Sequence, residues 1–473
     1  MRRFRIPVAA GVLLLALLGT VGAAGPVAPA VARPAPGADP AGLADAAPCP
    51  GIDGFTCGYV SVPLDRSGRV PGTLRLQAAV AGNTGAPRGV LMFLSGGPGQ
   101  PGVSLVPRIR ARVGYLLDDY QLVMVDQRGT GSAAIDCPRL QLEVGSSDIT
   151  PASAGALGEC AGVLGPARDF YTTADTVADL DALRAALGVR AWTLDGVSYG
   201  TFVAEHYGLT YPQHVSRMVL DSVVPQEGAE TLYTASLART AYVLRTACAE
   251  QSCGFDPAAD LAATVRRYGV GVGVGVGVGI FDLIVTATIV DPKLTGPPGY
   301  FPVLSLLHQA AQGDPGPLHE AITQLQGGGD TPVQAYSAGL HIATICADLT
   351  DAPWGDSTAP GPSRVPRLEA AARRLPPGAV WPFTPQTAAG QGIARNCAGW
   401  VASRPDPQPP LRVLKMPVLL INGDRDLSTP LPWAQQQAAR TPQGRLVVIA
   451  GMGHSIQGRN PDGDAAVQAF LLH

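Results

Sequence analysis

The sequence predicts an α/β architecture built on a mostly parallel sheet, and three observations carry that reading. Continuous apolar runs at 90–94 and 122–125 mark strands covered on both faces, and 215–220, 418–421 and 446–449 supply three more core strands. Between them the period changes to that of a helix. In 176–187, Val177, Leu180, Leu183 and Leu187 share one stripe, and Gly188 follows as a stop. Strand and helix alternate before Pro225 and again after Lys415, which places helices over the sheet.

The remaining elements follow in order. Residues 59–64 and 74–80 read as opening antiparallel strands, 191–194 as a short buried strand, and 465–472 as a terminal amphipathic helix. From 226 to 410 the texture differs: helical segments at 232–249, 300–312, 317–325 and 333–347 mix with Pro- and Gly-rich joints. This predicts a large, mainly helical cap inserted between a first core part, 49–225, and a second, 411–473. Within the cap, Gly269 to Gly279 alternates Gly and Val. A dinucleotide-binding loop needs G-x-G-x-x-G, and strict alternation always puts Val at the last glycine, so a loop or edge strand is expected instead.

Compartment and partners are bounded by composition. Arg2, Arg3 and Arg5, an apolar run at 8–18 and small residues up to Ala24 form the three zones of a secretory signal peptide over 1–24. The run is too short to span a bilayer, and no Cys sits at the cleavage region, so no stable membrane anchor is expected. Residues 25–48 are rich in Pro, Ala and Gly with little to bury, which predicts a disordered leader on a secreted, extracellular protein. A formal charge of -3 with 15% charged residues offers no basic face for nucleic acid.

Eight cysteines in an exported chain point to disulfides. They permit on the order of a hundred pairings. Their clustering suggests sequential pairs, 49–57, 137–160, 248–253 and 346–397. No CxxC or HExxH occurs, so neither a metal nor a cofactor is expected.

The chemistry concentrates on Gly196-Val197-Ser198-Tyr199-Gly200. A strand precedes it and a helix follows, so Ser198 would sit on the sharp turn of an α/β-hydrolase nucleophile elbow. A serine hydroxyl needs a base, and the base needs an acid. His454 follows the 446–449 strand in a glycine loop and is the expected base. Asp426, after the 418–421 strand, is the favoured acid, with Asp424 and Asp221 as competitors. The oxyanion donors would be the N–H of Tyr199 and amides of Gly96 and Gly97 in the loop Leu94-Ser95-Gly96-Gly97-Pro98-Gly99. Asp126 and Arg128, at the end of the next strand, are expected to brace neighbouring loops.

GGPG at 96–99, DQRGTG at 126–131, GVSYGT at 196–201, the D-x-x-T-P of Asp426 to Pro430 and the GxGH ending at His454 together resemble the proline iminopeptidase group of serine peptidases. Within it the chain is most similar to the secreted tripeptidyl aminopeptidases of actinomycetes, from about Cys49 to the end. Ser95 stands where proline iminopeptidases usually carry His. The resemblance implies an aminopeptidase that releases short peptides, tripeptides, from free N-termini through an acyl-enzyme on Ser198. Such an enzyme must hold the substrate ammonium, and Asp348 and Glu205 are the candidate substrate-binding carboxylates. An exported carboxylesterase would use the same triad, and a non-catalytic binding protein could share the fold.

Overall fold

The computed structural model describes residues 37–269, 276–290, 294, 302–326 and 331–473. The segment expected to be a signal peptide, 1–24, and most of the expected leader lie outside the described residues.

Nine strands form one sheet: β1 Ala44–Pro48, β2 Phe55–Pro63, β3 Thr73–Ala81, β4 Val90–Leu94, β5 Gln121–Val125, β6 Trp192–Val197, β7 Val215–Asp221, β8 Val418–Gly423 and β9 Gly444–Ile449. Their spatial order is β1-β2-β3-β5-β4-β6-β7-β8-β9. The pairings β1–β2, β2–β3 and β3–β5 are antiparallel, and β5, β4, β6, β7, β8 and β9 run parallel to one another. The apolar run of β4 is buried throughout, and alternation along the strand splits it between two cores. Val90, Met92 and Leu94 face the side covered by the helices Thr173–Ala186 and Tyr199–Thr210. Leu91 and Phe93 face the side covered by Val106–Arg112 and Pro461–Leu472. The helix predicted at 176–187 begins earlier, at Thr173, because the Thr172 side chain accepts from the Asp175 N–H and caps it.

Between β7 and β8 the described residues are helical: Thr234–Gln251, Pro257–Tyr268, Val276–Val290, Val303–Gln312, Gly316–Gln326, Ala338–Asp348, Gly361–Arg373, Pro385–Gly390 and Gly392–Gly399. Two expectations need correction. Residues 276–279 of the Gly–Val tract open a helix rather than a loop or edge strand, while 270–275 lie outside the described residues. Tertiary packing overrides the poor helix propensity of glycine here. Ile280, Phe281, Leu283 and Ile284 are buried in the cap. A Cβ on Gly277 would come within 2.6 Å of Thr387 Oγ1, and one on Gly279 within 2.6 Å of Ile322 Cγ2. Bare backbone is what lets this helix sit so close to its neighbours.

The second correction concerns the leader, whose last residues are ordered. Ala44–Pro48 adds to the sheet edge through antiparallel pairing with β2, although all five of its side chains are exposed. Backbone hydrogen bonds hold it, and composition does not report on those. Leu43 and Ala38 beside it are buried and pin the segment to the core.

The four disulfides pair Cys49 with Cys57, Cys137 with Cys160, Cys248 with Cys253 and Cys346 with Cys397. The last joins the cap helices Ala338–Asp348 and Gly392–Gly399 across 51 residues. Closing a loop of that length removes unfolded-state entropy worth ~4 kcal/mol at most. The double variant Cys346→Ala/Cys397→Ala is therefore expected to lose about 2–4 kcal/mol, read as a lowered denaturant midpoint.

Candidate active site

β6 ends at Val197, and Ser198 turns the chain into the helix Tyr199–Thr210 with φ 57° and ψ −127°. A non-glycine residue at positive φ is strained and survives only where its surroundings over-determine it. Here they are glycines at close quarters. A Cβ on Gly196 would lie 2.4 Å from the Gly200 carbonyl oxygen, and one on Gly200 would lie 2.2 Å from that of Leu94. Both spacings are impossible for any other residue, so the G-x-S-x-G pattern records the crowding of β4, β6 and the helix. The Ser198 N–H donates to the Asp221 carbonyl at 3.0 Å, tying the turn to β7.

The loop after β4 wraps over this turn. A Cβ on Gly96 would meet Ser198 Cβ at 3.0 Å, and Gly97 has φ +108°. The cap braces the loop from above: the Ser337 N–H donates to the Gly99 carbonyl at 2.9 Å, and His341 Nδ1 lies 3.0 Å from the Pro98 carbonyl oxygen. Ser95, which replaces the usual histidine, donates through Oγ to the Gln100 carbonyl. Tyr199 is the first residue of its helix, and amides of a first turn have no intrahelical partner.

His454 Nδ1 lies 2.9 Å from Asp426 Oδ2. Asp426 is fully buried yet well supplied with donors: the N–H groups of Ser428 and Thr429 at 2.9 Å each, and the Thr429 hydroxyl at 2.7 Å. The two competing aspartates are engaged elsewhere. Asp424 accepts from the Gly451 N–H and the Tyr242 hydroxyl, both at 2.8 Å. Asp221 accepts from the N–H groups of Ile456 and Gln457 at 2.9 Å and so fixes the loop that carries His454. Burial depresses the His454 pKa, but Asp426, Asp221 and Asp148 together more than offset it and leave the imidazole above its ordinary 6.5. With Nδ1 against a carboxylate, Nε2 is the nitrogen left to exchange a proton.

Asp126 and Arg128 lie outside this cluster. Asp126 accepts from the N–H groups of Gly102 and Val103, and buried Arg128 forks onto Asp179 at 2.7 and 2.8 Å. They brace the loops beside the site.

Two cavities meet at Ser198 and Gly97. One is narrow, about 30 Å³, apolar around Phe202, Tyr233, Ile345 and Trp433, and lined also by Asp348 and Asp148. The other, about 350 Å³, holds His454. Asp348 is buried, and it accepts from the Thr173 hydroxyl at 2.8 Å through Oδ2 and shares a side-chain hydrogen bond with the Asp406 carboxyl. Burial first, then repulsion from Asp406, raises its pKa well above the carboxylate range.

Glu205 is not brought to the site. It lies nearly two turns along the helix, about 9 Å below its start, and lines neither cavity. Among the described residues its buried oxygens have no hydrogen-bond partner, and desolvation, aided by Glu227, raises its pKa well above the carboxylate range. Asp148 is the residue that the sequence did not single out. It lines both cavities from the loop after the helix Pro138–Val144, 3.4 Å from the Tyr336 hydroxyl and 3.4 Å from His341 Nε2. No motif marks it; only the packing of cap on core puts it there.

The fold and the buried Ser–His–Asp neighbourhood define the chain as a member of the α/β-hydrolase class. Residues 89–267 match the α/β-hydrolase fold family, and residues 383–473 match the family described as TAP-like protein. Over part of its length the chain is similar to tripeptidyl aminopeptidases. It is 35% identical over 201 residues to the tripeptidyl aminopeptidase of Streptomyces coelicolor, covering 38% of this chain and 37% of that protein. It is 32% identical over 198 residues to the serine protease Hip1 of Mycobacterium tuberculosis, covering 36% of each. A probable proline iminopeptidase of Streptomyces coelicolor matches at 32% over 111 residues, 24% of this chain and 27% of that protein. The chain thus spans little more than a third of the length of these two curated relatives, the aminopeptidase and Hip1.

The electrostatics of His454 are directly measurable. Because neighbouring carboxylates stabilise the imidazolium, its NMR titration is expected to centre above 6.5. Asp426→Asn removes one of those charges, so the midpoint should fall. A midpoint that stays put would show that Asp426 exerts no field on the ring.

Proposed function

We propose that the chain is an exported serine peptidase of aminopeptidase type, with Ser198 as nucleophile, His454 as base and Asp426 as its orienting acid. The Ser198 hydroxyl attacks the scissile carbonyl and passes its proton to His454 Nε2. The oxyanion so formed is held by the N–H groups of Tyr199 and Gly97 or Gly96. The imidazolium then gives its proton to the leaving amine as the C–N bond breaks, and water hydrolyses the acyl-enzyme by the same relay. Four disulfides, and the absence of a helix long and apolar enough to cross a membrane among the described residues, support an extracellular setting.

One observation carries the aminopeptidase reading: buried Asp348, hydrogen-bonded to the Asp406 carboxyl, lines the narrow cavity beside Ser198. Two acids buried together disfavour each other's charged form, and a cation entering the cavity would relieve that. A peptide ammonium supplies both the hydrogen bond and the charge that would hold the carboxylate ionised. About 30 Å³ admits only a few waters. Release of three residues therefore requires the cap helices to part, whereas the closed form accommodates little more than one small side chain.

Ser198→Ala is expected to lower turnover by roughly a millionfold and to abolish labelling by a fluorophosphonate probe, since triad members act as a unit. Label retained in that variant would remove Ser198 from its role.

Free tripeptide p-nitroanilides are expected to exceed their N-acetylated forms at least tenfold in kcat/KM, about 1.4 kcal/mol of transition-state binding. Asp348→Asn should shrink that ratio. Equal cleavage of free and blocked peptides, with a short-chain ester cleaved faster than either, would replace the peptidase reading with an esterase.

A further inference from the structure

The wider cavity at Ser198 differs from the narrow one in sign. Three arginines line it: Arg108 and Arg112 on the helix Val106–Arg112, and Arg459 in the loop after His454. Arg108 and Arg112 stand four residues apart on one helix, a spacing at which like charges repel. Burial, Arg108 and Arg459 together bring the Arg112 pKa down to about 10.

The hydrogen bonds here position the guanidinium groups, and Arg112 makes no ion pair among the described residues. Arg112 Nη1 donates to Ser455 Oγ at 2.7 Å, and Arg459 Nη1 donates to the His454 carbonyl at 2.6 Å. Arg108 is exposed and makes no ion pair among the described residues. Of the acids in range, Asp221 is occupied by the Ile456 and Gln457 amides, and Asp148 by Tyr336 and His341. Among the described residues, Arg108 and Arg112 thus face a cavity of about 350 Å³ without an ion pair, and Asp148 is the carboxylate on its wall.

Chemistry says which part of a substrate enters it. The group that protonates the leaving amine must touch that amine, so the leaving portion lies on the His454 side. His454 lines this cavity and not the narrow one. We propose that Arg108 and Arg112 form a carboxylate subsite for the leaving group, so that substrates with a carboxylate just beyond the cut are preferred. The carboxylate could belong to an acidic side chain or to a chain terminus, and a planar guanidinium suits both. This deepens the peptidase reading and rests on it for its substrate class.

The test compares kcat/KM within matched pairs: H-Ala-Ala-Ala-Glu-NH2 against its Gln analogue, and H-Ala-Ala-Ala-Ala-OH against its amide. At least one acid member should win by tenfold or more at low ionic strength. A preference in the first pair alone assigns a side chain, and in the second alone a terminus. The ratio should fall as salt rises and collapse towards one in Arg108→Ala. In Arg108→Glu it should turn over in favour of Lys at the same position. Both wild-type ratios within twofold, or a full ratio in Arg108→Ala, would overturn the subsite.

Should no peptide be cleaved while a simple acetate ester is, the peptidase reading fails alone. O-acetylglycolate against O-acetylglycolamide then decides the subsite by the same tenfold criterion. A protein that cleaves none of these overturns both.

Discussion

Ser198 is held in a backbone conformation that a serine avoids, and the crowding that holds it there organises the rest of the site. The Gly200 carbonyl packs onto Gly196, and the Leu94 carbonyl packs onto Gly200, closer than any side chain permits. Relieving the strain would mean separating β4, β6 and the following helix, which together bury much of the core. Packing of the whole sheet therefore sets the position of one hydroxyl. The same close approach brings Gly96 against Ser198 and aims the first amides of the helix at the space above it.

Carboxylates around this turn divide by how completely they are satisfied. Asp426 is buried and has three donors besides its histidine neighbour. Asp221 spends its oxygens on backbone amides and holds a loop in place. Asp348 shares a hydrogen bond with the Asp406 carboxyl, and the Glu205 oxygens have no partner among the described residues. An acid on a cavity wall can meet a ligand, whereas one sealed behind a helix cannot. Position relative to the cavity, more than residue type, separates Asp348 from Glu205.

The two cavities give the site a polarity along the substrate. Apolar walls and acids lie on one side of Ser198, and arginines lie with His454 on the other. A peptide running from a free ammonium to a carboxylate has the matching order of charges. Such an arrangement favours one direction of binding, because the reversed chain would place like charges together on both sides.

Local signals in the sequence determined the parallel core, the strand-ended positions of Ser198, His454 and Asp426, and the glycines of the loop at 96–99. Buried runs, helical stripes and close-approach glycines act over a few residues, and so they are written in consecutive letters. The segments that only tertiary structure decided share a different property. Ala44–Pro48 is a strand because β2 offers it a ladder, and 276–279 is helical because Thr387 and Ile322 leave room only for bare backbone. Asp148 reaches the site from a loop without a motif, and Arg459 joins Arg108 across some 350 residues of chain, the spacing at which Ser455 meets Arg112. Which of three aspartates faces the imidazole was likewise settled by the path of loops around β7, β8 and β9. Contacts of this kind depend on where distant segments come to rest, and no local pattern encodes that.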